Sequence, residues 1–308
     1  MKKLLLILFI YSTAVAQESN LDWILSHMMK KSPESYKIFK LYNDLPQELS
    51  YTIGNSTTTT TKHIDEYFFL DLSSKISTLR SMSTNIHEVF HGLSHVYFFE
   101  KMKTNYVPHD FQDITTYFYI TDEIDYVSVF KGEVFPSSEL DKVIPKSLIT
   151  FRYDTYITGS SSTQGEGIIG LLNEFNAYYH DSKFTFDMLP IYKTIFPDDY
   201  LMEWVMDLQS VMTAFYEFDF WIKEYILHAK LNFQSLYFEI MKKDSAFKIY
   251  KDIHNNYNYL ISKYSDAVKL EKMKMEYTYD TEFWEDDYFR LINKLTEKKY
   301  SFIDKLLD

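Results

Sequence analysis

Two histidines four residues apart, with a glutamate directly after the first, carry the chemistry this sequence can do: His87-Glu88-Val89-Phe90-His91. Positions four apart on a helix share one face, so both imidazoles can reach a single ion. Glu88 then leans over the open side of that ion. There its carboxylate can take a proton from a water the metal polarises and pass it to a leaving group. The chain has no cysteine. Thiolate ligands, disulfides and a cysteine nucleophile are therefore excluded, and a transition metal must be held by imidazole and carboxylate, the ligand set of catalytic zinc. The plain alternative is a pair of helical histidines on a half-buried face, satisfied by hydrogen bonds.

The element that must present these groups reads as one helix over Ser83–Lys101, with Ser83 or Thr84 as N-cap and Ile86, Phe90, Leu93 and Tyr97 as its apolar stripe. A zinc site needs a third protein ligand. His95 shares the face, but a rise of about 1.5 Å per residue sets it roughly 12 Å from His87, which suits a pocket or core residue better. Two carboxylates compete with it, Glu166 and Glu174, both in a segment that reads as a helix over Glu166–His180. Glu166 near a helix start also satisfies the helix dipole without any metal. Glu174 has Leu171, Phe175 and Tyr178 around it, which mark a buried face.

His87-Glu88-x-x-His91 followed by Asn173-Glu174-x-x-Ala177 resembles the gluzincin metallopeptidases. The resemblance implies one Zn2+ held by His87, His91 and Glu174, with Glu88 as general base and a peptide or protein as substrate. It covers two short helices, and Glu174 lies 83 residues beyond His91, a separation longer than in many gluzincins. Amide hydrolysis also builds an oxyanion that a second donor can stabilise. Tyr178, four residues after Glu174, shares its helix face and is the candidate; Arg152, Tyr153 and Tyr156 can serve equally. His180 reads as a helix C-terminal cap or a partner behind the ligands.

Around this site lies a chain of 308 residues, 46% hydrophobic and 18% aromatic, with only seven Gly and seven Pro, a composition that favours long helices packed through aromatic faces. Lys2 and Lys3, the apolar run Leu4–Ile10 and Ala14-Val15-Ala16 form the pattern of a signal peptide over residues 1–16. Its removal takes two lysines and no acid, moving the formal net charge from −12 to −14. Such an acidic surface argues against nucleic acid or anionic membranes as partners. No later segment is long and apolar enough to span a bilayer. The mature protein is thus expected to be periplasmic or secreted.

Leu21–Asn43 reads as helix and Tyr51–Leu72 as extended, its threonine run Thr57–Thr61 included. Asn105–Pro145 shows no clear period, Arg152–Ile157 alternates like a short strand, and Gly159–Gly165 is a flexible segment. Beyond Pro197, Tyr200–Met241, Ser245–Tyr279 and Thr281–Leu307 carry helical periodicity. The expectation is a mainly helical α+β fold of zincin type. Its catalytic domain would span residues 17–197, with a small sheet over the motif helix whose edge can align a peptide. A helical C-terminal region over 198–308 would pack on it. The rival readings are a zinc hydrolase of non-peptide substrates and an exported helical binding module with a fortuitous motif.

Overall fold

A computed structural model describes residues 19–53, 55–62, 69–102, 113–120, 123–130, 134–242, 245–275 and 286–307. The segment read as a signal peptide lies outside them. The order is α1 (Asn20–Lys31), α2 (Pro33–Asp44), β1 (Glu48–Ile53), β2 (Ser56–Thr61), α3 (Lys75–Met102), β3 (Asp113–Ile120), β4 (Glu123–Phe130), a series of short 3-10 and π turns, then α4 (Ile168–Asp187) and α5 (Leu189–Ile195). The remaining α-helices among the described residues are α6 (Tyr200–Met212), α7 (Ala214–Asn232), α8 (Gln234–Met241), α9 (Ala246–Met275), α10 (Asp286–Leu295) and α11 (Ser301–Leu307). The protein is mainly helical α+β.

Several expectations need correction. The first helical stretch breaks in two because Pro33 cannot continue α1 and instead starts α2. The motif helix begins at Lys75, a full two turns before Ser83. Its cap is Ser74, whose Oγ accepts the Ser77 N–H at 3.0 Å. Ser83 is free of that duty and turns its hydroxyl to Asp181. The threonine run, by contrast, is strand as expected, paired antiparallel with β1 in the register Ser50 to Thr59.

A second hairpin, β3–β4, occupies the stretch that showed no period. Tyr117, Phe118, Tyr119 and Ile120 are all buried, so both faces of β3 are covered and the alternation that marks a half-buried strand is missing. Among the described residues the two hairpins are separate, each of two strands, in place of one sheet. The Tyr119 carbonyl of β3 accepts hydrogen bonds from Asn176 Nδ2 at 3.0 Å and His180 Nε2 at 2.8 Å, so α4 occupies the strand edge at this point. Arg152–Ile157 is not a strand: Asp154–Thr158 forms a π-helical turn, and the buried Tyr153 and Ile157 are spaced as on a helix.

Helix α4 is central. It packs on α3, α6, α7 and α9, and most of its residues are buried, polar ones such as Glu174, Asn176, His180 and Asp181 among them. Two glycines make its start fit. Gly167 has φ +54°, and a Cβ there would lie 2.4 Å from the Phe135 carbonyl oxygen and 2.5 Å from the Tyr225 hydroxyl. A Cβ on Gly170 would lie 1.9 Å from the Thr163 carbonyl oxygen, so only glycine lets that turn lie on the helix.

The C-terminal helices join the same apolar cluster, which runs from Trp23 to Leu307. Helix α7 carries buried charge, and each charged group is paired. Glu217 holds Arg152 at 2.7 Å; Asp219 and Asp304 hold Lys223 at 3.0 and 2.9 Å; Glu224 takes Lys299 and the Tyr300 hydroxyl. A further clamp joins α5, α6 and α9, where Glu271 accepts from Lys193 at 2.7 Å, Tyr200 at 2.8 Å and Lys274 at 2.9 Å.

Burial raises the Glu271 carboxyl, but the bonds from Lys193, Lys274 and Tyr200 outweigh it and bring the group from 4.5 down to about 2. A carboxylate depressed in the folded state stabilises fully above its unfolded value and loses that contribution as pH falls through the folded one. Denaturant titrations of Glu271→Gln and wild type should therefore differ at pH 6, with the gap closing between pH 4.5 and 2. Gly167→Ala should lower unfolding free energy by about 1–3 kcal/mol, measured by the same titration at neutral pH.

Candidate metal centre

Ser83 on α3 meets Asp181 and Thr185 on α4, while His87 and His91 meet Glu174. Rising numbers on one helix face falling numbers on the other, so the two helices run antiparallel. Their contact brings together three ligand atoms. The His87 and His91 Nε2 atoms are 3.1 Å apart, and the Glu174 Oε2 atom is 3.5 Å from the first and 3.3 Å from the second. A tetrahedral zinc with bonds of about 2.0–2.1 Å separates its ligands by about 3.3–3.4 Å, so this triangle has the dimensions of three corners of such a site. Among the described residues this is the group of imidazoles and carboxylates that can hold an ion.

The seat is dry. His87 is 6% and Glu174 5% exposed, and Glu174 Oε2 is buried without a well-formed hydrogen bond. A buried carboxylate oxygen aimed at two ring nitrogens in this way fits a cation, since an unpaired buried charge is costly. The other oxygen, Oε1, accepts the Thr163 hydroxyl at 3.1 Å. Burial acts to raise the Glu174 carboxyl, yet attraction to His91 and the close approach of both imidazoles hold it well below the usual carboxylate range. His91 answers in kind: burial lowers it, and the Glu174 charge, with Glu88 adding to it, raises it above its ordinary value. The field that draws a proton onto His91 is the field that favours a divalent cation there. Asn173 lies beside His91, next in sequence to Glu174.

Glu88 is half-buried on α3, one residue past His87. Tyr178 is also half-buried, its ring 4.5 Å from the His87 ring at 70°, and its hydroxyl 3.2 Å from that of Tyr156. Tyr156 faces the site as well: burial first, then the Glu174 charge, pushes its phenol far above the usual range. Of the remaining candidates, Tyr153 points away and donates to Asp141 at 2.8 Å. Arg152 is buried behind Tyr178 and not in the ligand group. His180 faces β3 and lies 3.5 Å from Glu34. Neither His95, which is exposed, nor Glu166, in the 3-10 turn before α4, joins the ligand group.

Two groups could not be picked out by residue type and spacing. Thr163 sits in the segment read as flexible, and its approach to Glu174 depends on the bare Cα of Gly170; that glycine, one turn before Glu174, was the available signal. Asp181 is buried about two helical turns beyond Glu174, with Ser83 donating to it. Burial raises its carboxyl against the opposing pull of His87.

No family profile, curated protein or solved structure is significantly similar to the chain.

If the triangle is the ligand set, zinc titration of the purified protein should show one site per chain. Glu174→Ala should abolish it, while His95→Ala and Glu166→Gln should leave it intact. Thr163→Val should weaken zinc about tenfold with an unchanged fold, as loss of an outer hydrogen bond to a ligand does.

Proposed function

We propose that the chain is an exported zinc-dependent hydrolase of the metallopeptidase type, with His87, His91 and Glu174 holding one Zn2+ and Glu88 as general base. The reading rests on one observation above the others. Three ligand atoms from two helices converge at 3.1–3.5 Å in a buried seat, and the residue after the first ligand is a carboxylate. Chance pairing of helical histidines does not call for a third, buried carboxylate oxygen aimed at both of them and otherwise unsatisfied.

Bound there, zinc would supply a Lewis acid to polarise an amide carbonyl and sharpen an attacking water. The chain's own residues carry the remaining work. Glu88 takes the water's proton as the new C–O bond forms and returns it to the leaving nitrogen as the C–N bond breaks. The Tyr156 and Tyr178 hydroxyls, both held as neutral phenols by burial, are the donors available to a developing oxyanion. Thr163 steadies Glu174, which leaves that carboxylate one oxygen for the ion. The antiparallel α3–α4 pair is the local counterpart of the two-helix zinc site of gluzincins, and a zincin-like core built around it is part of the proposal. The basic start, apolar run and small residues within 1–16 support the export part of the reading.

Glu88→Gln should retain one zinc per chain and lose turnover by about 10²–10⁴-fold on a panel of peptides, esters and glycans. A variant that hydrolyses as well as wild type would sink the mechanism. Activity confined to esters or glycans would move the substrate class away from peptides.

A further inference from the structure

The C-terminal helices reach the ligand triangle through Phe218, packed on Tyr178 with ring centroids 5.6 Å apart, and through a buried stack built on Arg152. Glu217, fully buried on α7, accepts the Arg152 guanidinium at 2.7 Å and the Arg152 backbone N–H at 3.2 Å. Tyr288 on α10 donates to the same carboxylate at 3.1 Å, which ties a third segment to it. The guanidinium is held further by the Thr213 hydroxyl at 3.1 Å, between α6 and α7, and by the Ser210 carbonyl. Only 4% of Arg152 is exposed, so five donors in a rigid fork are fixed in one plane. All of these partners come from the region after Pro197, where the sequence offered no chemistry of its own.

That plane lies on the site. The Arg152 Cζ atom sits 4.5 Å from the centre of the Tyr178 ring, within the distance at which a guanidinium and an aromatic face attract. On its other contact, the Tyr178 ring packs edge-on against the His87 imidazole with centroids 4.5 Å apart. The Tyr178 hydroxyl meets that of Tyr156 at 3.2 Å. Tyr178 is half-buried, and the guanidinium and the Phe218 ring back it on the side of the C-terminal helices while it rests on His87. A ligating imidazole needs its plane fixed to aim one lone pair at an ion.

We propose that Arg152 is a positioning residue of the metal centre: fixed by Glu217, it holds Tyr178 against His87 and so sets the orientation of a ligand from the C-terminal helices. The inference rests on the metal-centre reading. A buried arginine whose only role was to neutralise Glu217 would not need an aromatic ring shared with a ligand on its outer face. The planar guanidinium matters here, because a lysine ammonium can pair with Glu217 but presents no plate to stack.

The test uses the full mature chain loaded with Co2+, whose visible absorption reports ligand geometry, together with zinc affinity by competition with a chelator dye. Removing Arg152 alone would strand the Glu217 charge, so the first variant is Arg152→Met with Glu217→Gln, which leaves an acceptor for Tyr288 and for the residue-152 amide. The second is Arg152→Lys, which keeps the charge pair and loses the plate. Both should show shifted Co2+ bands and zinc dissociation constants raised roughly tenfold. In a Tyr178→Leu background, neither change should add to the spectral shift that Tyr178→Leu produces alone. Folded variants with wild-type spectra and affinities would overturn the inference while leaving the metal centre in place. Shifts that persist in full without Tyr178 would overturn it equally. A wild-type chain that takes up neither Co2+ nor Zn2+ would overturn the metal-centre reading and this inference with it.

Discussion

A buried carboxylate between two imidazoles is the constraint that organises this molecule. Glu174 is withdrawn from water and still held ionised, which requires positive charge within reach. His91 lies within reach to supply it, and the meeting of His91, His87 and Glu174 depends on how α3 and α4 are set against each other. Everything that fixes that arrangement serves the site. The Ser83–Asp181 bond ties the two helices one to two turns from the ligands, and Asn176 and His180 on α4 grip β3. Ile86, Val89, Phe90 and Leu93 of α3 are buried in the apolar core.

Polar groups in the core follow the same logic away from the site. Helix α7 would be a poor candidate for the interior by composition, with Glu217, Asp219, Lys223 and Glu224 in eight positions. Each finds an oppositely charged or hydroxyl partner on a segment distant in sequence. Such pairs add little net stability over apolar packing, but breaking one partner is costly, so they specify which segments must meet. In this fold they select the positions of the turns before α4, of α9 and of the last two helices.

Much of this was legible in the sequence, and what was not has identifiable causes. The motif helix, the threonine strand and the helical C-terminal half follow from period and propensity. Tyr117–Ile120 hid as a strand because burial on both faces erased its alternation. Arg152–Ile157 imitated a strand because Tyr153, Tyr156 and Ile157 are β-prone, whereas two of them are buried at helical spacing. Three of the site's side chains, His87, His91 and Glu174, could be named from residue types and one resemblance. Thr163 could not, since its place depends on Gly170 letting backbone approach backbone. Nor could the pairing of Tyr156 with Tyr178 be picked out from 27 tyrosines without coordinates.

The distance along the chain from His91 to Glu174 has a consequence for a protein without cysteine. An ion shared by these side chains would close a loop of 83 residues, the topological role that a disulfide fills in many proteins. A cross-link of that kind forms only once both helices have found each other, so it would come late in folding and leave the nascent chain unconstrained. It would also be reversible. A chelator could undo it, and the free-ion concentration of the compartment would set how tightly the two halves of the molecule are tied.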